Sequence, residues 1–209
     1  MVHRRRRAVL RAADEPKESK AARNRLRVEV ILRIRPVFLA AVLVTLALPG
    51  LARAVELDAH LAPLKPLVGK TWRGVFANST PEKPVVDVSR FEAALNGQAV
   101  RNLHSINDGA YGGESLMVWD KEKQSLVFYY FTTGGFYTTG TIQPQDGGFA
   151  THEIVKGDSD GITEVKTTFR LLADGRLHVH SEYLKQGKWV EGRDMHYVEA
   201  PDAQVKFKE

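Results

Sequence analysis

The sequence predicts an all-β protein, a single up-and-down antiparallel β-barrel of about ten strands preceded by a short helix. Apolar residues alternate with a period of two from Gly69 almost to the end, which is typical of strands with one buried face. Short glycine-bearing connections separate these stretches, as in hairpins. Closing such a meander into a barrel removes its exposed edges. A sandwich, the rival architecture, usually needs longer crossovers.

The first 54 residues differ from the rest in composition. They hold 13 basic and 4 acidic residues, whereas residues 55–209 hold 17 and 21. Within them a basic pair precedes an apolar run over 37–48, and Ala52-Arg53-Ala54 follows, which is the layout of a signal peptide cleaved after Ala54. The run is shorter than the roughly 20 residues that cross a bilayer. We therefore expect a periplasmic or secreted protein with no stable membrane insertion after cleavage, an uncleaved anchor being the alternative.

The chain divides into three parts on this basis. Residues 30–54 form the signal peptide and residues 55–209 the barrel domain. Residues 1–29 precede the signal, and Arg4–Arg7 lie too far from the apolar run for a twin-arginine signal. This segment is either an over-extended start or a disordered basic arm.

Charge and cysteine content exclude several classes of function. The leader carries a net charge of +9 and the remainder −4, so the basic average of the chain is not the electrostatic footprint of a nucleic-acid-binding domain. The sequence has no cysteine, which excludes disulfides and a lipid-modified cysteine. The exported domain must be stabilised by its core alone.

The elements follow from the spacing of apolar residues. In Glu56–Leu67, leucines at 57, 61, 64 and 67 form one helical face, and Pro63 and Pro66 limit the helix to a turn or two. Period-two alternation then predicts strands at 70–77, 84–95, 98–106, 113–119, 125–132, 136–143, 149–156, 162–172, 176–184 and 189–199.

One hairpin register can be predicted in detail. If Ala173-Asp174-Gly175 is a three-residue loop, Leu172 faces Arg176, and apolar residues of the two strands meet on one face. On the other face Lys166 meets Glu182, so opposite charges pair. This register places His178 and His180 on the solvent side.

Two sequence stretches resemble known barrels. Leu64–Gly74, with Thr71-Trp72 after a short helix, looks like the first strand of lipocalin-like barrels. Met117–Gly140, with Phe128-Tyr-Tyr-Phe131, resembles exported lipocalin-like proteins of unknown function. This resemblance implies a ten-stranded barrel with an internal cavity.

The chain is also distantly similar to nitrobindin-like haem-binding barrels, but its residues do not match their haem-binding pattern. Phe76 stands where those proteins have a second glycine in the first strand. His196, the nearest candidate ligand, lacks their basic setting. We expect no cofactor.

The last strand offers candidate ligand-binding residues. With a three-residue loop at Lys185–Gly187, one face carries Trp189, Glu191, Arg193, Met195 and Tyr197, together with Tyr183 of the preceding strand. If that face is interior, an arginine and a tyrosine can hold a carboxylate, because the guanidinium donates two parallel bonds and the phenol a third. A one-residue change in the loop would turn these side chains to solvent instead.

Two strand histidines suggest a weaker candidate. His178 and His180 share one face at a spacing that can chelate Zn²⁺ or Cu²⁺. The same loop register places Asp194 directly opposite His178, which gives a surface site of three residues. A solvated pair of histidines is the alternative reading.

Three functions follow as hypotheses. The first is an exported barrel, not an enzyme, that binds a small apolar or amphipathic ligand through the residues of the last strand. The second is a barrel isomerase or hydrolase with His104 or His152 as general base. The third is an interaction protein that docks a partner on outward aromatics near Gly134-Gly135, since alternation places aromatic side chains on both faces of those strands.

Overall fold

The structure, a computed structural model, describes residues 55–77, 79–157 and 160–208. The predicted leader, residues 1–54, lies outside the described residues. Among the described residues, no helix has the length and apolar character needed to cross a bilayer.

Ten antiparallel strands form a closed barrel in which each strand pairs with its sequence neighbours and the last pairs with the first. The strands are β1 (Thr71–Val75), β2 (Val86–Ala94), β3 (Ala99–Ile106), β4 (Tyr111–Asp120), β5 (Ser125–Thr132), β6 (Tyr137–Gln145), β7 (Gly148–Lys156), β8 (Ile162–Leu171), β9 (Leu177–Lys185) and β10 (Lys188–Glu199). This confirms the predicted fold class, and every predicted strand end lies within two residues of the observed one.

The predicted register of the β8–β9 hairpin is confirmed. Leu172 donates its backbone N–H to the carbonyl of Arg176 at 2.8 Å, which closes the three-residue loop. Lys166 lies opposite Glu182 on the outer face. The pairing is regular from Glu164 to Leu171, shifts by one residue between Ile162 and Glu164, and fixes which side of β9 faces the interior.

A short 3₁₀ helix (Ala59–Leu67) packs on one end of the barrel. Its Leu61, Leu64 and Leu67 are buried in the same apolar cluster as the barrel residues, as the leucine spacing predicts. Asp58 caps the helix by accepting a hydrogen bond from the His60 backbone N–H. A second 3₁₀ turn (Leu95–Gly97) joins β2 to β3.

The β9–β10 hairpin departs from the predicted register. Lys185 pairs with Lys188, so the loop holds only Gln186 and Gly187, both at positive φ (52° and 74°). Two-residue loops of this kind match the right-handed twist of the flanking strands. Because the loop has two residues rather than three, the start of β10 presents the opposite face to the interior.

A β-bulge in β10 then reverses the alternation again. Regular pairing ends at Glu191 and resumes at Asp194. Gly192 and Arg193 therefore share the place opposite the single residue Ser181. A bulge of this kind re-aims the side chains that follow it.

The predicted faces of Trp189 and Glu191 are wrong for this reason. Trp189 lies on the outer face, with the Lys166 Nζ atom 4.2 Å from its ring centroid. The Glu191 side chain is 82% exposed. Arg193, within the bulge, and Tyr197, beyond it, face the interior, as predicted.

Inward-facing glycines make room for inward-facing rings. A Cβ atom at any of four such glycines would lie 2.9 Å or less from an aromatic carbon, which is closer than real contacts allow. The pairs are Gly74 with Tyr197, Gly113 with Tyr130, Gly140 with Phe128 and Gly192 with Tyr183. Three of the four rings are tyrosines, so these glycines allow phenol groups to enter the barrel.

Candidate functional site

The interior of the barrel forms a partly open cavity of about 360 Å³. Phe91, Phe128, Phe149 and Leu177 line it and belong to the apolar cluster that includes the N-terminal 3₁₀ helix. Several ionisable and hydroxyl side chains also line it, and we call them the polar cluster. The polar cluster consists of Asp87, His104, Tyr111, Tyr130, Thr138, Glu153, Tyr183, Arg193 and Tyr197.

Asp87, only 1% exposed, is the centre of the polar cluster. Its Oδ1 lies 3.1 Å from Nδ1 of His104, and its Oδ2 accepts a hydrogen bond of 2.7 Å from the Tyr197 hydroxyl. The Arg193 Nη1 atom lies 3.7 Å from the same Oδ2. Burial alone would raise the pKa of Asp87, but these three partners outweigh it and hold the pKa below its usual value. Asp87 is therefore an ionised carboxylate.

A chain of polar contacts leads from Asp87 across the cavity wall. The Tyr130 hydroxyl lies 2.6 Å from Nε2 of His104 and 3.2 Å from the Tyr111 hydroxyl. Because a phenol has one proton, Tyr130 donates to one of these partners and accepts from the other. Burial raises the pKa of Tyr130 and of Tyr111, so both remain neutral phenols.

Arg193 carries the positive charge on the cavity wall. Its Nη1 lies 3.5 Å from the Tyr197 hydroxyl, a long hydrogen bond, and its Nε has no hydrogen-bond partner among the described residues. Burial opposes the charge, but Tyr197 and Asp87 nearby raise the pKa of the guanidinium above its usual value. The side chain is 23% exposed, which leaves part of it accessible.

Glu153 is a second acid in the polar cluster. Its Oε2 accepts a hydrogen bond of 2.8 Å from the Thr138 hydroxyl. Burial raises the pKa of Glu153 despite this bond and despite the nearby charge of Arg193. The pKa values of Asp87 and Glu153 are therefore shifted in opposite directions, and Glu153 is the acid whose neutral form is favoured.

The structure brings together three of the five predicted ligand-binding residues. Tyr183, Arg193 and Tyr197 line the cavity, whereas Trp189 and Glu191 lie outside it. The Tyr197 hydroxyl donates to Asp87, so its proton is already committed within the protein.

Sequence reasoning missed Asp87, Tyr111, Tyr130 and Glu153 as members of the site. Asp87 lies on the same face of β2 as the buried Phe91, so an acid on an inward face was the available signal. Its partners come from β3 and β10, far away in sequence, and spacing along one strand does not reveal them.

The two histidines proposed as general bases lie on opposite sides of the wall. His104 lines the cavity. His152 lies on the outer face, where its Nε2 is 2.7 Å from Oε2 of Glu164. Only His104 is therefore placed to contact a molecule in the cavity.

The aromatic residues around Gly134-Gly135 divide between the two faces, as alternation predicts. Tyr130 and Phe136 line the cavity. Phe131 and Tyr137 are exposed, with ring centroids 5.9 Å apart on the outer face.

The fold and the site together define a class of protein, a closed ten-stranded up-and-down β-barrel with a polar cluster in a largely apolar cavity. No protein-family model matches the chain, and no curated protein matches its sequence. Its function is therefore inferred from the cavity itself.

Replacing Glu153 with glutamine is expected to stabilise the barrel more at high pH than at low pH. The unfolded carboxyl ionises near the ordinary pKa of 4.5, whereas the folded one resists ionisation. The stability due to the neutral form is complete below that pKa and is lost as the pH rises through the folded pKa. Glutamine does not ionise, so the variant gains about 1.4 kcal/mol over the wild type for each unit of raised pKa between about pH 4 and about pH 8.

Urea unfolding at both pH values measures this difference. Glu164→Gln is the matched control, because Glu164 pairs with His152 on the outer face and its exposed ion pair contributes little. A Glu153→Gln effect that is the same at both pH values would contradict the assignment of Glu153 as the neutral acid.

Proposed function

We propose that this chain is an exported barrel that binds a small, largely apolar molecule in its interior, with Arg193 contacting a carboxylate on that molecule. The cavity volume of about 360 Å³ falls within the range of about 300–1,000 Å³ that is common for small-molecule sites. The resemblance to exported lipocalin-like barrels supports the same class of function.

The observation that carries this proposal is a charged guanidinium on the wall of a mainly apolar cavity. Moving an ion out of water costs several kcal/mol, and an ion pair repays that cost only when its remaining hydrogen bonds are made. Arg193 has a long contact to Asp87 and an Nε without a partner among the described residues. Stability alone explains this arrangement poorly, whereas a ligand carboxylate would complete it.

The charges of the polar cluster are compatible with a ligand carboxylate, because Asp87 is the one acid of the cluster whose pKa is lowered. Asp87 and Arg193 offset each other, and the raised pKa of Glu153 favours its neutral form. A neutral Glu153 would donate to a carboxylate rather than repel it. The apolar wall around Phe128 and Phe149 would then hold the body of the ligand.

The proposed location rests on the leader. The basic, apolar and small residues over 33–54 are the basis for export to the periplasm or beyond, with the barrel released from the membrane after cleavage. The net charge of −4 beyond residue 54 argues against a nucleic acid as partner.

Decanoate and 1-decanol test the role of Arg193, because they share an apolar chain and differ in the charged head. Wild-type protein is expected to bind decanoate more tightly. Arg193→Gln should weaken decanoate binding by roughly 10–100-fold, the value of a charge-assisted hydrogen bond of about 1.5–3 kcal/mol, and change decanol binding little. Titration calorimetry measures both affinities.

Two variants keep this test interpretable. Arg73→Gln removes an exposed arginine from β1 and is expected to leave both affinities unchanged. Arg193→Lys retains the charge opposite Asp87, so it is expected to keep the fold and part of the preference for decanoate. Equal affinities for decanoate and decanol in the wild type, with circular dichroism showing an intact barrel, would rule out the carboxylate contact.

A second candidate function is favoured by one observation, the chain Asp87–His104–Tyr130. An acid orients the imidazole of His104, and the imidazole contacts a phenol at the cavity wall. This is the arrangement of an oriented general base. The second candidate is therefore an enzyme with His104 as general base; as an isomerase, it would move a proton to or from a carbon atom of the bound molecule.

Deuterium exchange tests this second candidate. The small molecule that copurifies with the protein is incubated with it in D₂O, and mass spectrometry measures deuterium at carbon. Catalysed exchange should disappear in His104→Ala and fall in Tyr130→Phe, and it should persist in His152→Ala, which alters the outer face. Wild-type protein that catalyses no exchange would leave binding as the function.

A further inference from the structure

A separate group of metal-ligand side chains lies on the outer face of β9 and β10. His178 lies directly opposite His196, and their rings stack with centroids 4.5 Å apart and an angle of 15° between the planes. Asp194 lies on the same face, with its Oδ1 2.7 Å from Nε2 of His178. We call His178, Asp194 and His196 the outer triad.

The outer triad differs from the site that the sequence predicts. Asp194 lies opposite His180 rather than His178, so the predicted register is wrong there by two residues. The shorter loop and the bulge each shift the pairing by one residue, and together they bring His196 opposite His178. His196 thus takes the place that the sequence assigned to His180.

The ligand atoms of the outer triad lie within 4.8 Å of one another. Two nitrogen or oxygen atoms bound to one tetrahedral zinc ion lie about 3.4 Å apart, since each bond is about 2.1 Å long. Side-chain rotations that turn the two stacked imidazoles towards a shared ion would close the difference, and they are available because the His178 and Asp194 side chains are 28% and 58% exposed. The paired backbones of β9 and β10 hold the three Cα positions.

We propose that the outer triad binds one divalent transition-metal ion of the Zn²⁺ type. Two imidazoles and one carboxylate suit such ions, and a tetrahedral ion would keep one position for water or another ligand. This proposal is independent of the cavity, because none of the three side chains lines it.

The surroundings of the outer triad carry both signs of charge. Nδ1 of His180 lies 3.9 Å from the second oxygen of Asp194, and Glu191 lies 3.6 Å from Nε2 of His180. Arg170 pairs with His178 from the β8 side, but it is exposed and free to turn towards solvent. The negative charges of Asp194 and Glu191 offset the positive charge of Arg170.

Titration of the full chain with Zn²⁺ near neutral pH tests the proposal. We expect one saturable equivalent in the wild type. His178→Ala and His196→Ala should each weaken binding at least about tenfold, because loss of even an outer-shell partner costs roughly 10–100-fold. His152→Ala is the matched control: this exposed histidine also contacts a carboxylate, Glu164 at 2.7 Å, and it is expected to leave binding unchanged.

A second readout identifies the ligands directly. Co²⁺ in a four-coordinate site absorbs strongly in the visible region, and that absorption should appear in the wild type and vanish in His196→Ala. Circular dichroism confirms that each variant is folded. Absence of saturable Zn²⁺ binding in the wild type, or unchanged binding in both His178→Ala and His196→Ala, would overturn the proposal.

Discussion

The β-bulge at Gly192 and Arg193 is the constraint on which both sites of this protein depend. Side chains alternate between the two faces of a strand, so one extra residue exchanges the faces of everything that follows. If the pairing before the bulge continued, Glu191, Arg193 and Met195 would all point outwards. With the bulge, Glu191 remains outside while Arg193 turns towards the cavity.

The same bulge links the interior to the outer surface. It turns Tyr197 towards Asp87 and leaves Asp194 and His196 facing solvent beside His178. A change in this one local feature would therefore disturb the polar cluster and the outer triad together. Gly192 suits the position, because a side chain there would meet the Tyr183 ring.

The polar cluster makes the folded barrel less stable than an apolar core of similar size would. Asp87 and Arg193 lie inside a small barrel without disulfides, and buried ion pairs often contribute less than hydrophobic residues of similar size. The protein offsets part of this cost by connecting the charges through His104 and Tyr197. Such a connected network both orients its members and exposes them to the cavity, which is what a binding or proton-transfer site needs.

The fold could be predicted from the sequence because its signals are local. Period-two alternation and short hairpin loops lie within a few residues of the strands they define, and the loop Ala173–Gly175 was enough to fix the β8–β9 register. The face of Arg193 was predicted correctly because two one-residue shifts cancel. The loop is one residue shorter than assumed, the bulge adds one residue, and the two shifts restore the original alternation.

The rest of the site could not be predicted from such local signals. Asp87, His104 and Tyr130 come from three strands, and only closure of the barrel makes them neighbours. Trp189 and Glu191 were misplaced because they lie between the two shifts, where the alternation is reversed. A bulge leaves a weak trace in a sequence, here a single glycine within a strand.

Cysteine scanning of β10 tests the bulge most directly, because the natural chain has no cysteine. Single cysteines would replace Glu191, Asp194, Met195 and His196, and the rate of reaction with a charged thiol reagent would be measured in the folded protein. A bulged β10 should react rapidly at 191, 194 and 196 and be protected at 195, where the native side chain is 1% exposed. Rapid reaction at 191 and 195 with protection at 194 and 196 would show an unbroken strand and contradict the presence of the bulge.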